Sequence, residues 1–249
     1  MITIKDEAGF ERMRTASRTV AEVLGELREA AAPGVSMTDL DAIAARIIRD
    51  RGCTPSFLGY HGYPATICAS PNNVIVHGIP DGYTLKEGDI LSVDVGAIYE
   101  GFHGDAARTF AIGEVPDQVS KLIQVTEESM NAGISQVKAG ARIGDIGAAV
   151  QQVAEGAGFS VVREYVGHGI GEAMHEEPQI PNYGDRGRGM KLKKGMAICI
   201  EPMVNVGDWR TEVLDDGWTV VTADGSLSAH FENTIAITTD GVEVMTADG

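Results

Sequence analysis

The chain has 249 residues, 43% of them hydrophobic, and its 36 acidic and 20 basic side chains give a formal charge of −16. That length supports one large domain or two small ones, the opening MITIKDEAGF lacks the basic and apolar regions of a signal peptide, and no run of about 20 apolar residues marks a membrane span. The negative balance argues against broad binding to nucleic acid, and the unpaired spacing of Cys53, Cys68 and Cys199 reads as reduced thiols of a cytoplasmic protein.

The first expected element is a helix over roughly 6–31, because Met13, Ala16, Val20, Val23, Leu24 and Leu27 fall on one side of it. A second helix follows from Pro33, with Met37, Leu40, Ile43, Ala44 and Ile47 at helical spacing and Gly52 as its C-terminal stop. The apolar run VIV ends at His77, ahead of a Gly-Ile-Pro turn. Strand-like runs ILSVDVG and GFHGDAARTFAI then carry Asp94 and Asp105. A helix over roughly 116–137 places Pro116 in its first turn, and a further helix ends at Gly158. A strand VVREYV is expected to lead into Gly167-His168-Gly169, whose glycines permit unusual backbone angles and leave the ring unobstructed. The last runs, AICIEPMV and SAHFENTIAI, carry Glu201 and Glu232.

An internal repeat organises these elements. PGVSMTDLDAIAARIIRDRG, from Pro33, matches AGARIGDIGAAVQQVAEGAG, from Ala139, with Gly34 on Gly140, Asp39 on Asp145 and Gly52 on Gly158. LKEGDILSVD then matches LKKGMAICIE, so the repeat carries Asp94 onto Glu201. Each of these acids shares a strand face with a small residue two positions back, Ser92 or Cys199, while Leu91 and Val93, or Ile198 and Ile200, face the other way. Asp105 shares its face with Ala107 and Thr109, and Glu232 with Thr234 and Ala236. Two α-α-β halves with antiparallel strands would gather all four acids near a pseudo-dyad. Carboxylates among β-branched residues are costly to bury without a cation, and lysine and arginine are scarce nearby, so a pair of metal ions is the economical explanation. Each acid taken alone would read as a solvated or capping residue.

The histidines refine this picture. His175 follows His168 by seven residues, which is not the helical His-Glu-x-x-His arrangement. His61, His103 and His230 read as structural. The glycines at 167, 169 and 171 do not make a phosphate loop, since no convincing helix follows.

The set VHGIP, SVDVG, GDAART, GHGIG, MHEEP, IEPM and FENT, in that order, resembles type I methionine aminopeptidase over nearly the whole chain. The resemblance implies the pita-bread fold, an α+β domain with two pseudo-symmetric α-α-β halves around a curved antiparallel sheet. It implies one catalytic domain over 1–249, with halves of approximately 5–112 and 113–240. By resemblance, Asp94, Asp105, His168, Glu201 and Glu232 ligate two divalent ions. Asp105 and Glu232 bridge them, Asp94 belongs to one ion, and His168 and Glu201 belong to the other. Such a pair can share a hydroxide that attacks the peptide bond, and one ion can hold the substrate's free amine. The oxygen-rich ligand set suits Mn, Fe or Co at least as well as Zn.

The remaining roles are likewise implied by the resemblance. Glu201 acts as general base, His175 stabilises the oxyanion, and His77 contacts the scissile nitrogen. Tyr60, Tyr63, Cys68, His77, His175 and Trp218 bind the substrate, and Asn72, Val74 and Ser228 hold a monovalent cation. Phe57 and Met174 line the pocket where cysteine and phenylalanine often stand in the family; both substitutions stay apolar. The substrates would be nascent polypeptide N-termini with a small second residue, and the protein would be a monomer. With bulky Ile2 behind it, the chain is expected to keep its own Met1. Arg186, Arg188, Lys191, Lys193 and Lys194 read first as a solvated loop and second as a transient contact for an anionic partner such as the ribosome. Proline-directed peptidases share the fold but usually carry an additional N-terminal domain, for which this chain is expected to have no room. A non-catalytic relative would be expected to have lost some of the five ligands.

Overall fold

The computed structural model describes residues 2–247; Met1, and with it the expectation that it is retained, lies outside them. Four helices pack against a central sheet: α1 Glu7–Ala30, α2 Met37–Asp50, α3 Asp117–Ile134 and α4 Ile143–Gly156. The strands are β1 Thr54–Pro55, β2 Ile67–Pro71, β3 Val74–Val76, β4 Ile90–Tyr99, β5 Phe102–Ala111, β6 Ser160–Val161, β7 Gly167–Gly169, β8 Glu176–Ile180, β9 Ala197–Ile200, β10 Met203–Asn205, β11 Thr211–Val213, β12 Val220–Thr222, β13 Ser228–His230, β14 Glu232–Ile237 and β15 Val242–Val244.

Local chemistry explains the helix starts. Asp6 caps α1 by accepting the Gly9 N–H at 2.8 Å, and Ser36 caps α2 by accepting the Asp39 N–H at 3.1 Å. Pro116 is the N-cap of α3 rather than a residue of its first turn. The expected strand VVREYV is short: only Ser160–Val161 pairs, with β10. Beyond it the chain turns away, and Tyr165 and Val166 face a cavity instead of a neighbouring strand.

The nine-stranded sheet runs β1-β4-β5-β14-β9-β7-β8, with β2 on β4 and β15 on β14. The pairings along it are antiparallel, and the order is symmetric about the β5–β14 seam: β4 outside β5, β9 outside β14. The repeat is built into the backbone. Gly34 N–H donates to the Leu85 carbonyl at 2.8 Å, and Gly140 N–H donates to the Leu192 carbonyl at 2.9 Å. Leu85 and Leu192 return bonds to Val35 and Ala141. Gly34 and Gly140 both have φ near +90° (93° and 91°), a conformation that L side chains rarely adopt. Each half has its own core, one around Leu40, Ile48, Leu91 and Val93, the other around Ile146, Ile198, Ile200 and Ile235.

Candidate metal centre

Strand register places the acids. Asp94 on β4 lies opposite Ala107 of β5, and Ala107 lies opposite Glu232 at the head of β14. Side chains alternate along a strand, so Asp105, two residues before Ala107, shares the face of Asp94 and Glu232. Glu201 follows Ile200, the partner of Asn233, and so stands across from Glu232. Leu91, Val93, Ile198 and Ile200 fill the helix-side cores on the reverse face, as alternation requires.

His168 arrives on β7, which pairs with β9. The glycines beside it serve close approach, not unusual angles. A Cβ on Gly167 would run into the Cys199 carbonyl oxygen, and one on Gly169 into the Glu177 carbonyl oxygen. His168 Nδ1 lies 2.9 Å from the Gly169 carbonyl oxygen. A proton held there leaves the Nε2 lone pair for the acids, and Nε2 is 3.4 Å from Glu201 Oε1. Ligand atoms of Asp105, His168, Glu232 and Cys199 all lie within 4.8 Å of one another.

The electrostatics favour a cation. Burial raises the carboxyls of Asp94, Asp105, Glu201 and Glu232 above their ordinary range; for the last three, neighbouring acids push them further. Asp94 Oδ1, Asp105 Oδ1 and Glu232 Oε1 are buried with no hydrogen-bond partner. Arg108 bonds the Glu232 carbonyl oxygen at 2.6 Å from the reverse face, and its charge is a minor influence on the Glu232 carboxylate. Four acids, three of them with orphaned oxygens, and one imidazole make a hard, oxygen-rich donor set, which fits a divalent ion.

A cavity of about 190 Å³ adjoins this set. All the residues expected to bind substrate line it: Phe57, Tyr60, Tyr63, Cys68, His77, Met174, His175 and Trp218. Phe57, Tyr63, Cys68 and Met174 also pack on one another as a small apolar cluster, so core packing and cavity lining are one property here. Tyr63 meets Trp218 edge-on at 5.1 Å. His175 Nδ1 is 2.8 Å from the Tyr60 hydroxyl, and its ring lies 4.3 Å from that of His168. His77 sits on a strained turn (φ 59°) against Tyr165. Burial, then His175, lowers its pKa to about 4; burial, then His61, lowers that of His175. Both rings are therefore neutral near pH 7.

Asn72 and Val74 lie at the β2–β3 turn and Ser228 opens β13; the Ser228 N–H donates to the Asn72 carbonyl at 3.0 Å. His103 is structural, its Nδ1 2.9 Å from Ser56 Oγ, and His61 lies outside the cavity, edge-on to Tyr60. His230 corrects the sequence reading. It lines the cavity with Nε2 buried, unpartnered and 3.9 Å from Glu201 Oε2. Its position two residues before Glu232 was the available signal, although His230 ends β13 and Glu232 begins β14. Val76, Tyr165, Val166 and Met203 also line the cavity; they come from separate strands and a loop, with no sequence pattern to join them.

The model of metallopeptidase family M24 matches residues 11–239. The methionine aminopeptidase of Clostridium perfringens is 51% identical to this chain over 246 residues, covering 99% of each. The crystal structure of methionine aminopeptidase from Thermotoga maritima superimposes with a TM-score of 0.97 at 47% identity, covering 99% of each chain. The prolidase from Pyrococcus furiosus, at 19% identity and a TM-score of 0.79 over 98% of this chain and 65% of its own, shares the fold alone. The chain belongs to metallopeptidase family M24 and, within it, to the methionine aminopeptidases; its fold is the pita-bread α+β fold.

Proposed function

We propose that this protein removes the N-terminal methionine from nascent polypeptides and peptides whose second residue is small. The observation that carries the reading is the juxtaposition of four convergent carboxylates, three of them with unpartnered oxygens, and one imidazole with an apolar cavity suited to a flexible thioether. Asp94, Asp105, His168, Glu201 and Glu232 would hold two divalent ions, with Asp105 and Glu232 shared between them. When bound, the ions supply the Lewis acidity that makes water nucleophilic near neutral pH and an anchor for the free α-amine, which confines cleavage to the first bond.

The chain's own groups supply the rest. Glu201, which stands across from Glu232 and beside His168, takes a proton from the attacking water. Donation from the Tyr60 hydroxyl to His175 Nδ1 keeps the proton on Nε2, which donates to the scissile carbonyl oxygen as charge develops there. His77 addresses the scissile nitrogen. Phe57, Tyr63, Cys68, Met174 and Trp218 enclose the methionine side chain and exclude water. The carbonyls of Asn72 and Val74 with Ser228 would take a monovalent cation. The exposed basic group Arg186, Arg188, Lys191, Lys193 and Lys194 would face the ribosome, in keeping with a monomeric cytoplasmic enzyme built as one catalytic domain.

Chelation followed by stepwise return of Mn, Fe, Co or Zn, with methionine release from Met-Ala-Ser and metal content measured together, tests this. Activity should appear as metal is restored. Release that is indifferent to chelation, or preference for X-Pro over Met-Gly peptides, would overturn it.

A further inference from the structure

The N-terminal strap, residues 2–5, lies beside the turn that presents His175. Ile2 bridges Glu177 in parallel, and the Lys5 N–H donates to the Gly195 carbonyl at 2.8 Å. Between these anchors the Lys5 side chain enters the protein. Its Nζ lies 2.7 Å from Glu176 Oε2, with the two side chains 4% and 5% exposed. Lys5 Nζ also donates to Thr3 Oγ1 at 2.7 Å, and the Thr3 hydroxyl donates to the same Glu176 oxygen. The other oxygen, Oε1, accepts the Ala173 N–H at 3.2 Å. Lys5 passes so close to Gly171 that a Cβ there would strike Lys5 Cε. One carboxylate thus ties the strap to the 171–175 turn, next in sequence to His175.

An ion pair this deep is a poor source of stability, because desolvation offsets its attraction. What it supplies is geometry: charge-assisted bonds fix a short loop at both ends. We infer that Lys5 is a positioning residue for His175, acting through Glu176 to hold the 171–175 turn where the His175 imidazole meets Tyr60 and the cavity. The inference rests on the aminopeptidase reading in one respect, that His175 addresses the substrate.

The test uses the full-length, metal-loaded protein with Met-Ala-Ser as substrate, in Lys5→Met and in the double variant Lys5→Met/Glu176→Met, which strands no charge. In Lys5→Met, kcat should fall about 10- to 100-fold, as expected for a displaced catalytic group. KM should stay within about twofold and metal content should not change. The double variant should regain thermal stability yet keep the low kcat; if Lys5→Met does not fold, the double variant decides alone. A merely structural pair would let turnover recover with stability. Wild-type kcat in either variant, or recovery of kcat in the double, would overturn the inference. In the zinc-loaded protein, which is diamagnetic, the His175 ring resonances report the clamp without turnover: they should be sharp in wild type and broadened in the variants, and unbroadened signals would equally refute it. A wild-type protein that releases no methionine would instead count against the aminopeptidase reading.

Discussion

Removing the metal should make the protein's stability fall as pH rises above 7. In the folded chain burial and mutual repulsion hold Asp105, Glu201 and Glu232 well above their ordinary pKa values, while in the unfolded chain they ionise near 4. Between those limits the folded state binds more protons, so stability is greatest at low pH and declines as pH climbs. The buried histidines act oppositely. His77 is lowered to about 4 and His168 and His230 to about 3, so their contribution grows with pH until about 6.5, the unfolded value. From pH 7 to 8 these histidines are mostly neutral in both states and the carboxyls dominate the change. Each carboxyl still protonated in the fold then costs about 1.4 kcal/mol per pH unit. For a chain of this size that lowers Tm by roughly 3–6 °C per group. Calorimetry of chelated protein at pH 7 and 8 should show this fall. With Mn²⁺ present the trend should vanish or reverse, because metal takes the deprotonated ligands and binds more tightly as pH rises. A chelated Tm that is flat or rising over this interval would refute the convergence of uncompensated acids.

Three further outcomes follow from the same geometry. His175→Ala should lower kcat by about 10²–10³-fold, the scale of a lost oxyanion donor, with metal content by elemental analysis unchanged; a metal-free variant would contradict its assigned role. Gly167→Ala should push β7 away from the Cys199 carbonyl, lower stability by about 1–3 kcal/mol and weaken metal affinity in a competition titration through His168; full affinity with wild-type Tm would show that the strands need not approach so closely. Tyr63→Phe removes hydroxyl bonds to the Ile67 and Gly78 carbonyls at 3.1 and 2.9 Å. It should cost about 1 kcal/mol in denaturant melts while the apolar cavity still accepts methionine, and an unchanged midpoint would count against those bonds.

The helices, the duplicated halves and the convergence of the four acids were legible in the sequence, because they rest on local rules. Helical spacing on 13–27, paired glycines at 34 and 140, and period-two alternation around Asp94 and Glu232 each act within a few residues. Antiparallel pairing then fixes which face a side chain takes. What the sequence left open was decided by contacts between distant segments. VVREYV has strand-forming residues but only a two-residue partner in β10, so its remainder became cavity wall. His230 looked structural until the pairing of β13 with β10, the strand that follows Glu201, carried it beside that acid, and the glycines around His168 were explained only by the backbone of β9 and β8 pressing against them. Lys5 and Glu176 are 171 positions apart, and nothing short of the folded chain could pair them. Local propensity and alternation set each strand's face; packing set which faces meet.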